Sequence, residues 1–309
     1  MSAQAVLFDA PGPRARRRHL ILTIVGGLVI VVVLGLVIFQ LNAQGQLEAA
    51  KWLPFLGSSA WLNYLIPGLI GTLSAALVSV IAAGILGLLL GIGRLSGVAW
   101  VRWLSGIVVE FFRAVPVLIM MIFLFILFSR NGVFLPSVNP FMAVVIALTV
   151  YNGAVIAELV RSGVNSLPKG QSEAGLSIGL TPGQTLRTIQ LPQALVAMLP
   201  ALMGQLVVVI KDTALGYGIT YSELLNQAKN LGSNYSNTLP AYMVAAVLFI
   251  VLNYAMTRLA GAVEQRLRKR PITAGPLTTT APNIIQGSAE PGGPTDDLIE
   301  PPHGTAPKD

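Results

Sequence analysis

Long runs of apolar residues without a single charge dominate the chain. The runs cover residues 20–40, 65–93, 132–157, 188–210 and 239–257. Each is long enough to cross the roughly 30 Å hydrocarbon core of a bilayer as an α-helix. A further apolar segment, 104–129, is interrupted by Glu110 and Arg113. The pattern predicts an all-α membrane protein with about six transmembrane helices, because a helix satisfies its backbone hydrogen bonds within one segment.

Basic residues near the ends of the runs predict the orientation. If six helices alternate, one side carries Arg14, Arg16, Arg17, Arg18, Arg94, Arg102, Arg161, Lys169, Arg187, Arg258, Arg266, Arg268, Lys269 and Arg270. The opposite side carries only Lys51, Arg130 and Lys229. Since basic loops stay in the cytoplasm, both termini are predicted to be cytoplasmic. A cleaved signal peptide is the alternative interpretation of the first run. That run is long for a signal peptide, and no convincing small-residue cleavage site follows it.

Composition supports the membrane and excludes several kinds of site. The chain is 54% hydrophobic and only 11% charged, whereas a soluble domain is about a quarter charged. It has no cysteine and only two histidines, His19 and His303, both outside the apolar cores. Disulfides and thiolate metal sites are therefore excluded, and a histidine-based metal or catalytic site is not expected. No carboxylate pair faces a base, so a membrane enzyme is disfavoured.

The two ends differ from the apolar body. Residues 1–18 are predicted to be a cytoplasmic segment, 19–41 an additional transmembrane helix and 42–63 an external segment. Residues 271–309 are rich in proline and lack an apolar face to bury. This composition predicts a disordered cytoplasmic tail.

A polar loop, Leu167–Pro192, contains two short helix patterns. In the first, Ala174 and Ile178 share a face, and Gly179 is suited to end the helix in a left-handed conformation. The second begins with Thr181 as N-cap, Pro182 at the first helical position and Gln184 three residues after the cap. Leu191-Pro192 is predicted to mark the bend into the next span. A short helix held between two stiff ends is suited to docking on a partner, although a purely structural interfacial loop has the same pattern.

This loop resembles the EAA loop of bacterial ABC-importer permeases. The matching residues are Glu173-Ala174-Gly175, Gly179 and the ending Ile189…Leu191-Pro192. Further motifs are similar to those of polar amino acid permeases of the histidine/glutamine/glutamate group, closest to the glutamate-uptake permeases of actinobacteria. They include Phe112-Arg113-Ala114-Val115-Pro116, Asn152-Gly153-Ala154, Ala157-Glu158, Pro168-Lys169-Gly170-Gln171 and Lys211-Asp212-Thr213-Ala214-Leu215. Gly175 departs from the family's usual alanine, which is expected to loosen the helix slightly.

The resemblance implies a type I ABC-importer transmembrane domain over residues 64–270, with a cytoplasmic coupling loop at 162–191. It implies an ATPase dimer, an extracytoplasmic amino-acid-binding protein and a second, non-identical permease as partners. The chain has no P-loop, so ATP is bound by the separate ATPase and the permease needs no cofactor. The implied cargo is glutamate, with glutamine and aspartate as alternatives. A scaffold that docks an ATPase without transporting, and a secondary transporter, are rival interpretations.

The resemblance and the charges inside the spans indicate two sets of candidate site residues. The coupling set is Gln171, Glu173, Ala174, Gly175, Gly179, Leu191 and Pro192. The candidate translocation path is Arg113, Glu158, Lys211, Asp212 and Thr213. Charges within spans are costly and tend to face a cavity or a partner. Glu110 and Arg113, three residues apart, are also predicted to pair with each other.

Overall fold

The computed structural model describes residues 12–268, and every regular element in that range is helical. The predicted tail, 271–309, and most of the N-terminal segment lie outside the described residues. The helices are α1 (Pro13–Ala43), α2 (Ala49–Trp52), α3 (Ser58–Ala60), α4 (Ile66–Arg94), α5 (Ala99–Ala114), α6 (Val117–Asn131), α7 (Asn139–Asn165), α8 (Gly170–Ser177), α9 (Pro182–Thr185), α10 (Leu191–Ala197), α11 (Leu199–Asp212), α12 (Leu224–Asn234) and α13 (Thr238–Arg268).

The described range contains five segments long and apolar enough to cross a membrane. They are Arg14–Ala43, Ser58–Arg94, Asn139–Asn165, Leu199–Ile219 and Thr238–Arg266. The α5–α6 pair passes the same test only when its two helices are taken together, and they meet at an angle of 97°. This part of the fold therefore has five or six candidate spans. The apolar segment predicted at 104–129 is not one straight helix.

The bend between α5 and α6 has a local cause at Val115-Pro116. The residue before a proline is pushed out of the helical region by the proline ring. Val115 accordingly has φ −81° and ψ 126°, and Pro116 has ψ 129° before α6 begins. The chain therefore turns here, although its apolar character continues on both sides.

The core of the bundle is the contact between α4 and α7. Gly87 and Gly91 of α4 lie directly against Ile156 and Val160 of α7. A Cβ at Gly87 would be 2.6 Å from the Ile156 Cβ, so the small residues allow the two backbones to approach closely. By contrast, α1 is exposed along its length, with outward apolar side chains from Leu20 to Phe39. A helix that is apolar all round is suited to a lipid environment.

The segment between α11 and α13 closes over one end of α4. The Tyr221 hydroxyl donates to the Gly71 carbonyl at 2.7 Å, and the Leu224 N–H donates to the Thr72 hydroxyl at 3.2 Å. Glu223 is fully buried and caps α12, because its carboxylate accepts the N–H groups of Leu225 and Asn226 at 2.7 Å each. Burial raises the pKa of Glu223 to about 7, although these two N–H donors act in the opposite direction.

Candidate functional site

Helix α8 is the first helix of the loop, and it ends just before Gly179, as the sequence predicts. Gly179 has φ +85°, a conformation that favours glycine because it has no Cβ. The Gly179 N–H donates to the Leu176 carbonyl at 3.0 Å, and the Leu180 N–H donates to the Gly175 carbonyl at 3.1 Å. These two bonds form a Schellman motif that satisfies carbonyls at the helix end. The predicted end of α8 is confirmed.

The start of α9 is also confirmed. The Gln184 N–H donates to the Thr181 hydroxyl at 3.3 Å, and the Thr181 N–H donates to the Gln184 Oε1 at 2.8 Å. This reciprocal pair is a complete capping box. The two motifs are adjacent, because Leu180 belongs to the first and Thr181 begins the second, so they restrict the angle between α8 and α9.

The predicted bend at Leu191-Pro192 is wrong. The chain passes from α9 through one π-helical turn, Leu186–Gln190, directly into α10. Pro192 is the second residue of α10 and follows this π-helical turn. The break comes later, at Met198, which separates α10 from α11. The wider π-helical turn accommodates the proline, and no bend is needed.

The outward face of α8 carries the acidic residue and apolar side chains. Glu173 and Ala174 are exposed, Leu176 is 48% exposed and Ile178 is 76% exposed. Ala174 and Ile178 share a face, as their spacing predicts, and that face points away from the bundle. Exposed apolar residues beside a charge are typical of a surface that binds a partner.

The inward face of α8 packs on the second half of the loop through Gly175. A Cβ at Gly175 would lie 2.6 Å from the Thr185 Cγ2 and 2.8 Å from its Oγ1. An alanine here would therefore require the Thr185 side chain to shift. In addition, the Gln193 Nε2 donates to the Gln171 Oε1 at 3.1 Å, which ties the start of α8 to α10.

A cavity of roughly 470 Å³ lies between the loop and the ends of the long helices. Its apolar wall includes Leu95, Val164 and Leu186, whereas Lys169 and Glu173 contribute charged groups. The loop therefore leaves a recess next to its exposed face.

An ion network joins α4, α5 and α7. Arg94 of α4 contacts Glu158 of α7 at 2.9 Å and Glu110 of α5 at 3.0 Å. Arg161 contacts Glu158 at 3.0 Å. Arg113 lies farther out, 3.6 Å from Glu110 and 3.8 Å from Glu158. The predicted Glu110–Arg113 pair is thus present, but Arg94 is the closer partner of Glu110.

The remaining candidate path residues lie at the end of α11. Lys211 is exposed and Asp212 is partly buried. Thr213 is fully buried, and its hydroxyl donates to the Ile210 carbonyl at 2.6 Å. Across the described residues, neither a hydrogen bond nor an ion pair joins this group to the network of Arg113 and Glu158. Within the described range, the structure therefore shows no direct polar contact between the two sets of candidate path residues.

Sequence reasoning missed one polar contact inside the bundle. The Gln205 Nε2 of α11 donates to the Asn152 Oδ1 of α7 at 2.6 Å, and Asn152 is fully buried. Asn152 belongs to a motif noted in the sequence, but spacing alone does not indicate its partner, 53 residues away. Among the described residues, no group of three or more His, Cys, Asp or Glu is arranged to hold a metal ion.

Comparisons with known proteins agree on the family. Residues 83–269 match the family described as binding-protein-dependent transport system inner membrane component. GluD, a glutamate transport system permease of Corynebacterium glutamicum, is 48% identical over 74% of this chain and 84% of its own length. GlnP, a probable glutamine ABC transporter permease of Bacillus subtilis, is 33% identical over 68% of this chain and 96% of its own length.

A solved structure, titled as an amino acid ABC transporter with histidines, has a TM-score of 0.62 and 27% identity. It matches 69% of this chain and 98% of that chain. Permeases of this family carry no cofactor and do not hydrolyse ATP, because a partner ATPase handles the nucleotide and a binding protein delivers the cargo. The chain belongs to the binding-protein-dependent transport system inner membrane components, as the multi-pass, non-catalytic permease subunit of an ABC importer.

Proposed function

We propose that this permease imports a polar amino acid, glutamate, delivered by an extracytoplasmic binding protein. The support is the 48% identity to GluD over 84% of that protein's length. A second, non-identical permease completes the pathway, and an ATPase dimer drives it. The observation that carries the coupling part is the loop, whose two capped helices hold an exposed acidic and apolar face.

In this proposal both termini and the loop lie in the cytoplasm. The support is the distribution of basic residues, which concentrate on the side of the loop. The ATPase binds the face formed by Glu173 and Ala174. Gly175 and Gln171 hold that face to the rest of the loop, and Gly179 sets its angle. Leu191 and Pro192 continue the loop into α10.

The cargo path is proposed to pass two sets of charged residues. Arg113 and Glu158 belong to the ion network, and Lys211 and Asp212 lie at the end of α11. Charges within spans usually face a cavity or a partner. Thr213 follows Lys211 and Asp212 in the chain and is fully buried, and its hydroxyl donates to the Ile210 carbonyl.

The test is initial uptake of labelled glutamate in cells that lack this chain. The cells are restored with the natural sequence, with Glu173→Lys, or with Glu48→Lys as a matched control. Glu48 is also exposed, but it lies in the predicted external segment. We expect the natural chain and Glu48→Lys to restore uptake. Glu173→Lys is expected to insert normally and to restore none, because the reversed charge faces the ATPase.

Normal uptake by Glu173→Lys would contradict the proposed coupling role of the loop. Competition by unlabelled aspartate and glutamine then identifies the cargo. If the natural chain restores uptake of labelled glutamine but not of labelled glutamate, the chain is a glutamine permease. If the purified complex holds its ATPase in fixed ratio and loaded binding protein never stimulates turnover, the chain is a scaffold. Import that continues without ATP would indicate a secondary transporter.

A further inference from the structure

We propose that a cavity at the α5–α6 bend binds an acyl chain of an anionic phospholipid from the cytoplasmic leaflet, with α5 lying in the membrane interface beside it. This inference goes beyond the proposed function and uses only the proposed orientation of the chain. It does not depend on the cargo or on the coupling role of the loop.

Helix α5 lies at the level where two apolar runs of the bundle end. The run in α4 ends just before Arg94, and the run in α7 ends just before Glu158. Glu110 of α5 lies 3.0 Å from Arg94, which lies 2.9 Å from Glu158. Because charges are costly inside hydrocarbon, these three residues mark the border of the bilayer. In the proposed orientation, α5 therefore crosses the bundle at the cytoplasmic border.

The bend lets α5 follow the membrane plane. Helix α6 packs along α7 in the main buried cluster, and α5 meets α6 at an angle of 97°. Helix α6 has 15 residues and is therefore about 22 Å long, which is less than the roughly 30 Å of the hydrocarbon core. Helix α6 therefore ends short of the cytoplasmic border, and the bend lies within the hydrocarbon region.

The exposed side of α5 has the composition of an interfacial helix. A stripe of apolar residues at helical spacing, each at least 46% exposed, runs along it: Trp100, Trp103, Leu104, Ile107 and Phe111. The opposite side packs on the bundle through the fully buried Val109. Within the part of the chain that the structure describes, neither the Trp100 nor the Trp103 indole N–H donates a hydrogen bond. An apolar ring with a free N–H is typical of the headgroup level of a membrane.

A cavity of about 540 Å³ lies at the bend, and Phe111 belongs both to its wall and to the stripe. The side chains of α5, α6 and α7 that line it are all apolar, among them Val115, Ile119 and Val150. An apolar cavity stays free of ordered water, and a charged amino acid would lose its hydration there without gaining a partner. The walls therefore fit a hydrocarbon chain and do not fit the cargo.

Charge beside the bend favours an anionic headgroup. Helix α5 and the ion network that it joins contain four arginines and two glutamates, an excess of two positive charges: Arg94, Arg102, Arg113, Arg161, Glu110 and Glu158. Arg102 is exposed and lies between the two tryptophans in sequence. Basic residues at the cytoplasmic surface attract anionic lipids. The cavity, the stripe and the excess charge thus match the acyl chain, the interfacial part and the phosphate of a phospholipid.

The first test counts the lipid that stays on the complete importer, including its ATPase and second permease. The importer is purified in detergent with equal amounts of phosphatidylglycerol and phosphatidylcholine, and bound lipid is identified by native mass spectrometry. Ile119→Trp fills the cavity with a larger side chain. Ile126→Trp is the matched control, because Ile126 lies two turns along α6, is 48% exposed and does not line the cavity.

The natural importer and the Ile126→Trp variant are expected to retain more phosphatidylglycerol than phosphatidylcholine. The Ile119→Trp variant is expected to lose that excess. Equal retention by the two variants, or no preference in the natural importer, would overturn the inference. So would phosphatidylglycerol that binds the isolated chain but is absent from the complete importer, because the second permease would then cover the cavity.

A second measurement needs no substitution near the cavity. Trp52→Phe combined with Trp61→Phe leaves Trp100 and Trp103 as the two tryptophans of the chain. The full-length chain is placed in vesicles of phosphatidylglycerol and phosphatidylcholine in equal amounts, one of which carries bromine on its acyl chains to quench indole fluorescence. We expect quenching that is stronger when phosphatidylglycerol carries the bromine. An unquenched signal would place α5 away from lipid, and equal quenching would remove the anionic preference; either result contradicts the inference.

Discussion

Gly175 shows how one residue can have a different role from the one its type indicates. In the sequence it replaces the family's usual alanine and is expected to loosen α8. In the structure it is the buried residue of α8, and it allows Thr185 to approach. Gly179 and Thr181, in contrast, do what their types predict, because their partners lie within five residues in sequence. The partner of Gly175 is ten residues away, on another helix.

We predict that Gly175→Ala weakens the loop. Its methyl group would be 2.6 Å from the Thr185 Cγ2. Overpacking costs about 1–3 kcal/mol, whereas alanine gains at most about 1 kcal/mol of helix propensity. The steric cost therefore exceeds the gain in helix propensity. Amide hydrogen exchange in residues 170–190 should accelerate, and uptake should fall.

Gly175→Ala combined with Thr185→Ala is the matched control. It removes both clashing atoms of Thr185, and with them a buried hydroxyl that lacks a hydrogen-bond partner. Exchange should return to the natural rate or below it. Unaltered exchange in the single variant, or a double variant no better than the single, would show that the contact with Thr185 is unimportant.

At the scale of elements, the ion network ties together three helices, α4, α5 and α7. The sequence indicates the local pair, Glu110 and Arg113, because both lie on α5. It does not indicate that Arg94 reaches both Glu110 and Glu158. Arg94 is nearly buried, with 11% of its side chain exposed, and Glu158 is 24% exposed, whereas Glu110 is 60% exposed. Glu158 and Glu110 are therefore expected to contribute differently to the stability of the bundle.

We predict that Glu158→Gln destabilises the bundle far more than Glu110→Gln. Glu158→Gln leaves Arg161 without its carboxylate and Arg94 with only the exposed Glu110, so its cost is below the about 3–5 kcal/mol of a fully buried pair but above that of an exposed one. An exposed pair contributes less than about 1 kcal/mol. Thermal unfolding of the purified chain in detergent measures both variants. Arg94→Gln added to Glu158→Gln should recover part of the loss. Equal effects of the two single variants would contradict a central role for Glu158.

At the scale of the whole molecule, the predicted orientation depends on charge alone. The basic residues predict that the loop and both termini lie in the cytoplasm and that residues 42–63 lie outside. The structure contributes two highly exposed apolar positions, Leu56 at 85% and Ile178 at 76%, one in each of these regions. Cysteines at these two positions can therefore report which side of the membrane each region faces.

We predict that Leu56→Cys reacts with a membrane-impermeant maleimide in intact cells, because it lies in the external segment. Ile178→Cys should react only after the membrane is permeabilised. Both variants are expressed without the ATPase, so that no partner covers position 178. The cysteine-free natural chain is the blank. Labelling of the Ile178→Cys variant in intact cells would reverse the proposed orientation.

The sequence by itself determined that the spans are helical and where most of them lie, because about 20 apolar residues are needed to cross a bilayer. It also determined the end of α8 and the start of α9, since caps bind neighbours within a few residues. The α5–α6 bend has a local signal too, at Val115-Pro116, which the apolar pattern obscures. Only the tertiary structure decided the link from Arg94 to Glu158 and the contact of Gly175 with Thr185. These depend on which side chains meet across helices, and periodicity along one helix carries no information about the partner on another.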